Sequence, residues 1–193
     1  MPKIRLYTAH AGSGLWRLTG RGDGPPPYWA YRWAGGTVLA RYLLDHPEAV
    51  RGRRVLDLGA GAGIVGIAAM LCGASAVTAA EIDPNGVAAL ALNAEANGVR
   101  LEAIGADLLD GPVPDADLVA VGDLFYEAVL AKRVTGFLDR CRAAGIAVLV
   151  GDPGRAPLPR RRLRLLAEYR VADFGGGGDT ASGVFAFEDA EAN

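Results

Sequence analysis

The fold of this chain is constrained most by residues 55–63, which read Val55-Leu56-Asp57-Leu58-Gly59-Ala60-Gly61-Ala62-Gly63. A short apolar strand runs directly into a turn with glycine at alternate positions, and an apolar helical pattern, Ile64–Leu71, follows it. Glycine lets the backbone approach a ligand where side chains would collide. We therefore predict a strand, a ligand-binding turn and a helix, in that order.

The alternation of strand and helix continues along the chain. Such alternation is typical of a parallel sheet that binds ligands at the carboxyl ends of its strands. We predict an α/β fold: a Rossmann-like seven-strand sheet, mostly parallel with an antiparallel edge strand, and helices on both faces. Further strands are expected at Ala76–Ile82, Leu101–Ala106, Leu118–Val121, Ile146–Val150, Tyr169–Phe174 and Val184–Phe187, and further helices begin at Asp83-Pro84, span Leu130–Cys141 and cover Leu158–Tyr169.

A length of 193 residues fits one domain. We predict a single domain over residues 1–193, with N-terminal strands and an aromatic lead-in over 1–32 and a cofactor-binding and catalytic core over 33–188. The N-terminal strands are expected at Ile4–Thr8 and Leu15–Thr19. Residues 28–33, where the lead-in meets the core, hold two of the three tryptophans.

Composition limits the partners, the cellular location and the metal sites that we expect for this chain. A net charge of −2 gives no electrostatic case for nucleic acid or an anionic membrane as a partner. The two cysteines, Cys72 and Cys141, lie in apolar helical patterns, and no long apolar run opens the chain, so we predict a reducing, cytoplasmic location. With only His10 and His46 as histidines, we predict no metal site.

Two cofactor classes compete for the glycine turn. Gly61, Gly63 and Gly66 satisfy the dinucleotide pattern G-x-G-x-x-G, which keeps an NAD-dependent oxidoreductase as a remote alternative. A carboxylate at Asp57 would repel a pyrophosphate but attract the ammonium and sulfonium cations of S-adenosylmethionine. We therefore predict S-adenosyl-L-methionine as cofactor and S-adenosyl-L-homocysteine as product.

The arrangement D-x-G-x-G-x-G resembles the usual motif of class I methyltransferases, residue for residue. At the end of the second strand, Glu81 is expected to accept the ribose hydroxyls and Ile82 to pack on the adenine, while Asp83 is interpreted as a helix cap. After the third strand, Asp107 is expected near the adenine amine, with a solvated turn aspartate as the alternative. The predicted cofactor-binding residues are Trp33, Asp57, Gly59, Ala60, Gly61, Gly63, Glu81, Ile82, Asp107, Leu108 and Gly122.

The end of the fourth strand carries the predicted catalytic residues, Asp123 and Tyr126. Their spacing resembles the D-x-x-Y signature of seven-strand protein lysine methyltransferases. We expect Asp123 to be an orienting acceptor near the amine and the cofactor, and Tyr126 to shape the lysine channel. Trp29, Trp33, Phe125 and Tyr126 are expected to desolvate the amine, and Glu127 is interpreted as a helix cap.

Three further segments, Pro27–Gly36, Arg41–Pro47 and Gly151–Arg155, resemble the electron-transfer-flavoprotein β-subunit lysine methyltransferase family. The resemblance implies methylation of lysines in a loop of that flavoprotein. A small-molecule amine or pyridine N-methyltransferase is the alternative, since the same aromatic cleft could hold such an acceptor. The remaining open feature is a basic cluster, interpreted as a solvated helix face or as a contact for an acidic partner: Arg155, Arg160, Arg161, Arg162 and Arg164.

Overall fold

A computed structural model describes residues 4–9, 13–15, 27–173 and 178–189, and a seven-stranded sheet runs through it in the order β3-β2-β1-β4-β5-β7-β6. Strands β1 to β5 pair in parallel, whereas β7 is antiparallel to both β5 and β6. The predicted fold class is therefore confirmed. The strands are β1 Arg54–Leu58, β2 Ala76–Ala80, β3 Glu102–Ile104, β4 Leu118–Gly122, β5 Ala147–Asp152, β6 Leu163–Ala172 and β7 Asp179–Phe187.

Helices cover both faces of this sheet. Because successive side chains of a strand point to opposite faces, Val55 of β1 packs in one apolar cluster and Leu56 in another. The first cluster contains the buried sides of helices α1 (Ala34–Asp45) and α2 (Ile64–Leu71), and the second contains that of α4 (Ala128–Ala143). Burial on both faces explains why the central strands are nearly continuous apolar runs. The helices are α1 Ala34–Asp45, α2 Ile64–Leu71, α3 Pro84–Ala96 and α4 Ala128–Ala143.

The N-terminal half of α1 lies directly against the carboxyl ends of β4 and β5, and glycines make this approach possible. A Cβ atom added at Gly122 would lie 2.8 Å from the Cα of Gly36, and one added at Gly151 would lie 2.2 Å from the carbonyl oxygen of Gly35. Both distances are shorter than real Cβ contacts. The glycines therefore set how closely α1 closes over the end of the sheet.

The predicted helix at Leu158–Tyr169 is wrong. The chain makes a short 3-10 turn, Arg160–Arg162, and then enters the edge strand β6. Charged side chains such as those of Arg164 and Arg170 are exposed on this strand, as is common where an edge must not pair with another chain. The side chains of this strand are partly exposed along its whole length, in a pattern that follows neither a period of two nor one of 3.6, so the sequence pattern does not identify it as a strand.

The predicted N-terminal strand at Ile4–Thr8 is also wrong. These residues pair with none of the described strands; instead, two of their backbone N–H groups donate to asparagine side chains: Tyr7 to Oδ1 of Asn93 in α3 at 2.7 Å, and Arg5 to Oδ1 of Asn97, directly after α3, at 2.9 Å. The strand predicted at Leu15–Thr19 lies, except for Leu15, outside the described residues. In the part of the chain that the structure describes, every helix is too short or too polar to cross a membrane.

Candidate active site

A cavity of about 420 Å³ opens at the carboxyl ends of β1, β2 and β4. Ten of the thirteen predicted site residues line it. Asp57 and Ala60 instead line a smaller adjoining cavity of about 60 Å³, and Gly63 lines neither of the two. The ten residues of the main cavity are Trp33, Gly59, Gly61, Glu81, Ile82, Asp107, Leu108, Gly122, Asp123 and Tyr126.

The glycine turn owes its shape to left-handed backbone conformations. The φ angles are +68° at Gly59, +53° at Gly61 and +84° at Gly63, values that residues with a Cβ rarely adopt. Gly63 immediately precedes α2 and does not face the cavity: a Cβ atom added there would point at the side chain of Leu90, 3.1 Å away. Glycine is therefore required at this position by the left-handed backbone and not by contact with a ligand.

Asp57 lies behind this turn and not in the main cavity. Its carboxylate is buried and accepts a hydrogen bond from the backbone N–H of Gly66, in the first turn of α2, at 2.8 Å. Burial raises its pKa to about 7, and the negative charge of Glu81 adds to the effect. Asp57 thus occupies a helix N-terminal amide that a phosphate would otherwise use.

Glu81 ties the end of β2 to the glycine turn. Its Oε2 accepts from the backbone N–H of Gly61 at 2.9 Å, and its Oε1 accepts from the backbone N–H of Asp83 at 2.8 Å. Asp83 caps α3 by accepting from the N–H of Asn85 at 2.8 Å, which confirms its interpretation as a helix cap. Ile82, next to Glu81, is 71% exposed at the cavity wall and therefore free to contact a ligand ring.

Asp107 lies in the loop after β3 and also lines the cavity. One of its oxygens accepts from the backbone N–H of Leu109 at 3.0 Å, and the other accepts from the guanidinium of Arg133 at 2.9 Å. Arg133 also lines the cavity, and it bonds Asp110 as well. Its positive charge is therefore matched by two carboxylates.

Asp123 is nearly buried, and both of its carboxylate oxygens accept hydrogen bonds from protein groups. The residue has a φ of +58°, which turns its side chain back toward α1. Its Oδ2 accepts from the backbone N–H groups of Gly35 and Gly36, while its Oδ1 accepts from Arg155 at 2.6 Å (Nη2) and 3.0 Å (Nε). Burial raises the pKa of Asp123, and Arg155 opposes that rise.

Three aromatic rings form one wall of the cavity. The ring centroids of Tyr28 and Tyr126 are 5.5 Å apart, and those of Tyr28 and Trp33 are 5.9 Å apart. The indole N–H of Trp33 donates to the carbonyl of Tyr28 at 2.8 Å, which stabilises the conformation of residues 28–33. Trp29 also lines the cavity, and its indole N–H donates to Asp83 at 2.9 Å.

Phe125 does not belong to this wall. Its side chain is fully buried in the apolar cluster beneath α4, so the prediction that it desolvates the amine is wrong. Glu127 accepts from the backbone N–H groups of Val129 and Leu130, at 3.0 and 3.3 Å. Its interpretation as the cap of α4 is thereby confirmed.

Arg155 is a further residue of the site, and it is not among the site residues predicted from sequence. The guanidinium of Arg155 lines the cavity, bonds Asp123 and lies 5.9 Å from the centroid of a Trp33 ring. Other members of the basic cluster are paired elsewhere: Arg162 with Asp139 and Arg164 with Glu188. The signal for Arg155 was its place in Gly151–Arg155, directly after a strand whose carboxyl end faces the site.

Comparison with known proteins defines the class of the chain. A family model described as ribosomal protein L11 methyltransferase (PrmA) matches residues 36–141. The ribosomal protein L11 methylase of Lactobacillus delbrueckii subsp. bulgaricus is similar in structure over 79% of this chain and 78% of that one, with a TM-score of 0.56 and 20% identity. TrmN of Thermus thermophilus is similar over 79% of this chain and 48% of that one, with a TM-score of 0.59 and 25% identity. The fold, the site and the family model together define a methyltransferase.

Proteins similar in sequence narrow the assignment to one family of methyltransferases. The electron transfer flavoprotein beta subunit lysine methyltransferase of Xenopus laevis is 42% identical over 182 residues, covering 89% of this chain and 73% of the relative. The protein of the same name from Danio rerio is 43% identical over 155 residues, covering 77% of this chain and 60% of the relative. The chain belongs to the electron transfer flavoprotein β subunit lysine methyltransferase family, and it spans 60% to 73% of the length of these two relatives.

Proposed function

We propose that the protein transfers methyl groups from S-adenosylmethionine to lysine side chains of an electron transfer flavoprotein β subunit. Its relatives from Xenopus laevis and Danio rerio are named for this activity. The observation that carries the proposal is the charge around the cavity. Carboxylates hold the glycine turn, and the two arginines in the lining, Arg133 and Arg155, are each bonded to aspartates.

This charge distribution favours a cationic cofactor over a dinucleotide. A pyrophosphate would need the amides at the start of α2, one of which already donates to Asp57. A cavity of about 420 Å³ is within the range of small-molecule sites, roughly 300–1,000 Å³. Asp57, Glu81 and the glycine turn would hold the cofactor, with Ile82 and Leu108 beside the adenine. When bound, S-adenosylmethionine supplies a methyl group on a positively charged sulfur.

A lysine amine must lose its proton before it can attack that methyl group. With a reference pKa of about 10.4, deprotonation at pH 7 costs roughly 4.6 kcal/mol. An apolar surrounding lowers this cost because it disfavours the ammonium form. Tyr28, Trp29, Trp33 and Tyr126 supply that surrounding at the mouth of the cavity. The protein contributes positioning and water exclusion to an in-line displacement.

The test is incubation of the protein with labelled S-adenosylmethionine and recombinant flavoprotein β subunit, followed by mass spectrometry of the modified residues. We expect label on lysines, and loss of at least tenfold in rate for Asp123→Asn while calorimetry shows unchanged binding of S-adenosylhomocysteine. Exposed Arg161, in the turn before β6, offers a control: Arg161→Met should keep the full rate.

Other outcomes would overturn the proposal. Label confined to small molecules in a cell lysate would replace it with a small-molecule N-methyltransferase. Binding of NAD in place of S-adenosylhomocysteine would overturn the proposed cofactor.

The proposal also includes a single methyltransferase domain over residues 1–193 and a cytoplasmic location. Cell fractionation tests the location.

A further inference from the structure

Arg155 and Asp123 form a two-point contact at the edge of the cavity. The Nη2 and Nε atoms of Arg155 lie 2.6 and 3.0 Å from the same oxygen, Oδ1, of Asp123. Asp123 is 8% exposed, so its negative charge has almost no water around it. A carboxylate in such a place stays ionised only if a cation or several donors stabilise it.

A second aspartate holds Arg155 in place. Asp152, at the end of β5, is fully buried, and its Oδ1 accepts from the backbone N–H groups of Gly154 at 2.6 Å and Arg155 at 2.7 Å. These bonds fix the turn after β5, so that the Arg155 side chain starts from a defined backbone position. The same side chain then reaches both Asp123 and the ring of Trp33.

The other carboxylate oxygen of Asp123 binds the start of α1. Oδ2 accepts from the backbone N–H groups of Gly35 and Gly36, in the first turn of α1. Trp33, which immediately precedes α1, forms part of the aromatic wall. The orientation of the Asp123 carboxylate is thereby linked to the position of that wall.

From this geometry we infer that Arg155 is a positioning residue for methyl transfer: it keeps the Asp123 carboxylate ionised and oriented, and it balances the charge of that carboxylate beside the lysine amine. The inference rests on the proposed function. An unbalanced carboxylate would stabilise the ammonium form of lysine and so oppose transfer. Paired with Arg155, Asp123 can hold α1 and Trp33 without that penalty.

Other titratable groups around Asp123 bear on any dependence on pH. Tyr28 and Glu81 line the same cavity, and the loop of Asp123 itself carries Tyr126 and Glu127. The buried Asp152, at the end of β5, lies near enough for its charge and that of Asp123 to repel each other. Asp173 accepts from the backbone N–H of Ala34, beside the glycines that Asp123 binds. Of the groups that neighbour Asp123 in the described part of the chain, Arg155 is the cation in direct contact with it.

The first arm of the test titrates Asp123 in the ligand-free protein by carbon-13 NMR of labelled aspartate carboxyls, with the signal assigned by its loss in Asp123→Asn. Arg155→Met should raise the pKa of Asp123 by at least one unit, because a buried carboxyl that loses its cation binds a proton more tightly. Arg155→Lys should restore part of the shift. Arg161→Met removes one exposed arginine of the same basic cluster and should leave the titration unchanged.

The second arm measures kcat/KM for the flavoprotein β subunit between pH 6 and 10. The acidic limb should move to higher pH in Arg155→Met and return toward the wild-type position in Arg155→Lys. An unchanged Asp123 titration in both Arg155→Met and Arg155→Gln overturns the inference, as does a rate that falls equally at every pH. If the wild-type protein methylates no lysine, the proposed function is wrong. The NMR titration still shows in that case whether Arg155 keeps the Asp123 carboxylate ionised.

Discussion

The Oε2 atom of Glu81 lies 2.9 Å from the backbone nitrogen of Gly61, so the acidic residue at the end of β2 fixes the middle of the glycine turn. The same carboxylate accepts from the N–H of Asp83 through its other oxygen. Glu81 therefore shapes the turn and is also the residue expected to receive the ribose hydroxyls. A change of Glu81 should act on ligand affinity through both effects.

Glu81→Gln should weaken binding of S-adenosylhomocysteine at least tenfold, or about 1.4 kcal/mol. The amide keeps the shape of the side chain but has one acceptor oxygen in place of two and carries no charge. Calorimetric titration measures the effect. Glu95→Gln, the same change on the exposed side of α3, should leave the affinity within twofold. Equal affinities for the two variants would remove Glu81 from the site.

Gly122→Ala should destabilise the protein by about 1–3 kcal/mol, the usual cost of overpacking. The new methyl group would lie 2.8 Å from the Cα of Gly36, where backbone cannot easily give way. Gly136→Ala is the matched control, because a Cβ at that position of α4 meets nothing within 4 Å. It should stabilise the helix by roughly 0.5–1 kcal/mol. Urea denaturation measures the free energy of unfolding of both variants. Changes of the same sign in the two variants would contradict this account.

The core of the fold could be predicted from sequence because its signals are local. The run from Val55 to Gly63 combines an apolar strand with glycines that the structure places at positive φ. The edge strand β6 could not be predicted in the same way. Its side chains are partly exposed on both faces, so neither a period of two nor one of 3.6 dominates, and pairing with β7 decides the outcome.

Sequence predicts the site residues that belong to one strand end and the turn after it. It does not predict contacts between segments that are distant along the chain. Tyr126 and Phe125 are adjacent aromatic residues, yet one faces the cavity and the other the core beneath α4. The backbone just before them is left-handed at Asp123, a conformation that sequence does not reveal in a residue other than glycine. Arg155 was missed because its contact with Asp123 spans 32 residues of sequence.

Cofactor affinity should increase as pH rises from 6 to 7.5, because Asp57 has a pKa of about 7. The ionised carboxylate attracts the cofactor's ammonium group, which stays protonated throughout this range. The dissociation constant of S-adenosylhomocysteine should fall about five- to tenfold, in line with the ionised fraction of such a carboxyl. Asp57→Asn should bind more weakly and with no dependence on pH. A wild-type constant that is flat from pH 6 to 7.5 contradicts the role assigned to this charge.

Asp152→Asn should stabilise the protein more at pH 8 than at pH 4.5. Burial raises the pKa of Asp152, and among the described residues its Oδ2 has no hydrogen-bond partner. The folded protein therefore holds this proton more tightly than the unfolded chain, so the stability contributed by Asp152 falls as pH rises from about 3.9, the unfolded pKa, toward the higher folded pKa. Asparagine keeps an acceptor for Gly154 and Arg155 and removes the ionisation. The difference in Tm from wild type should grow by a few degrees across this range, on the order of 1 kcal/mol. Asp179→Asn changes an exposed aspartate and should show no such trend, and a difference for Asp152→Asn that shrinks with rising pH would mean that the buried carboxyl is ionised and stabilising.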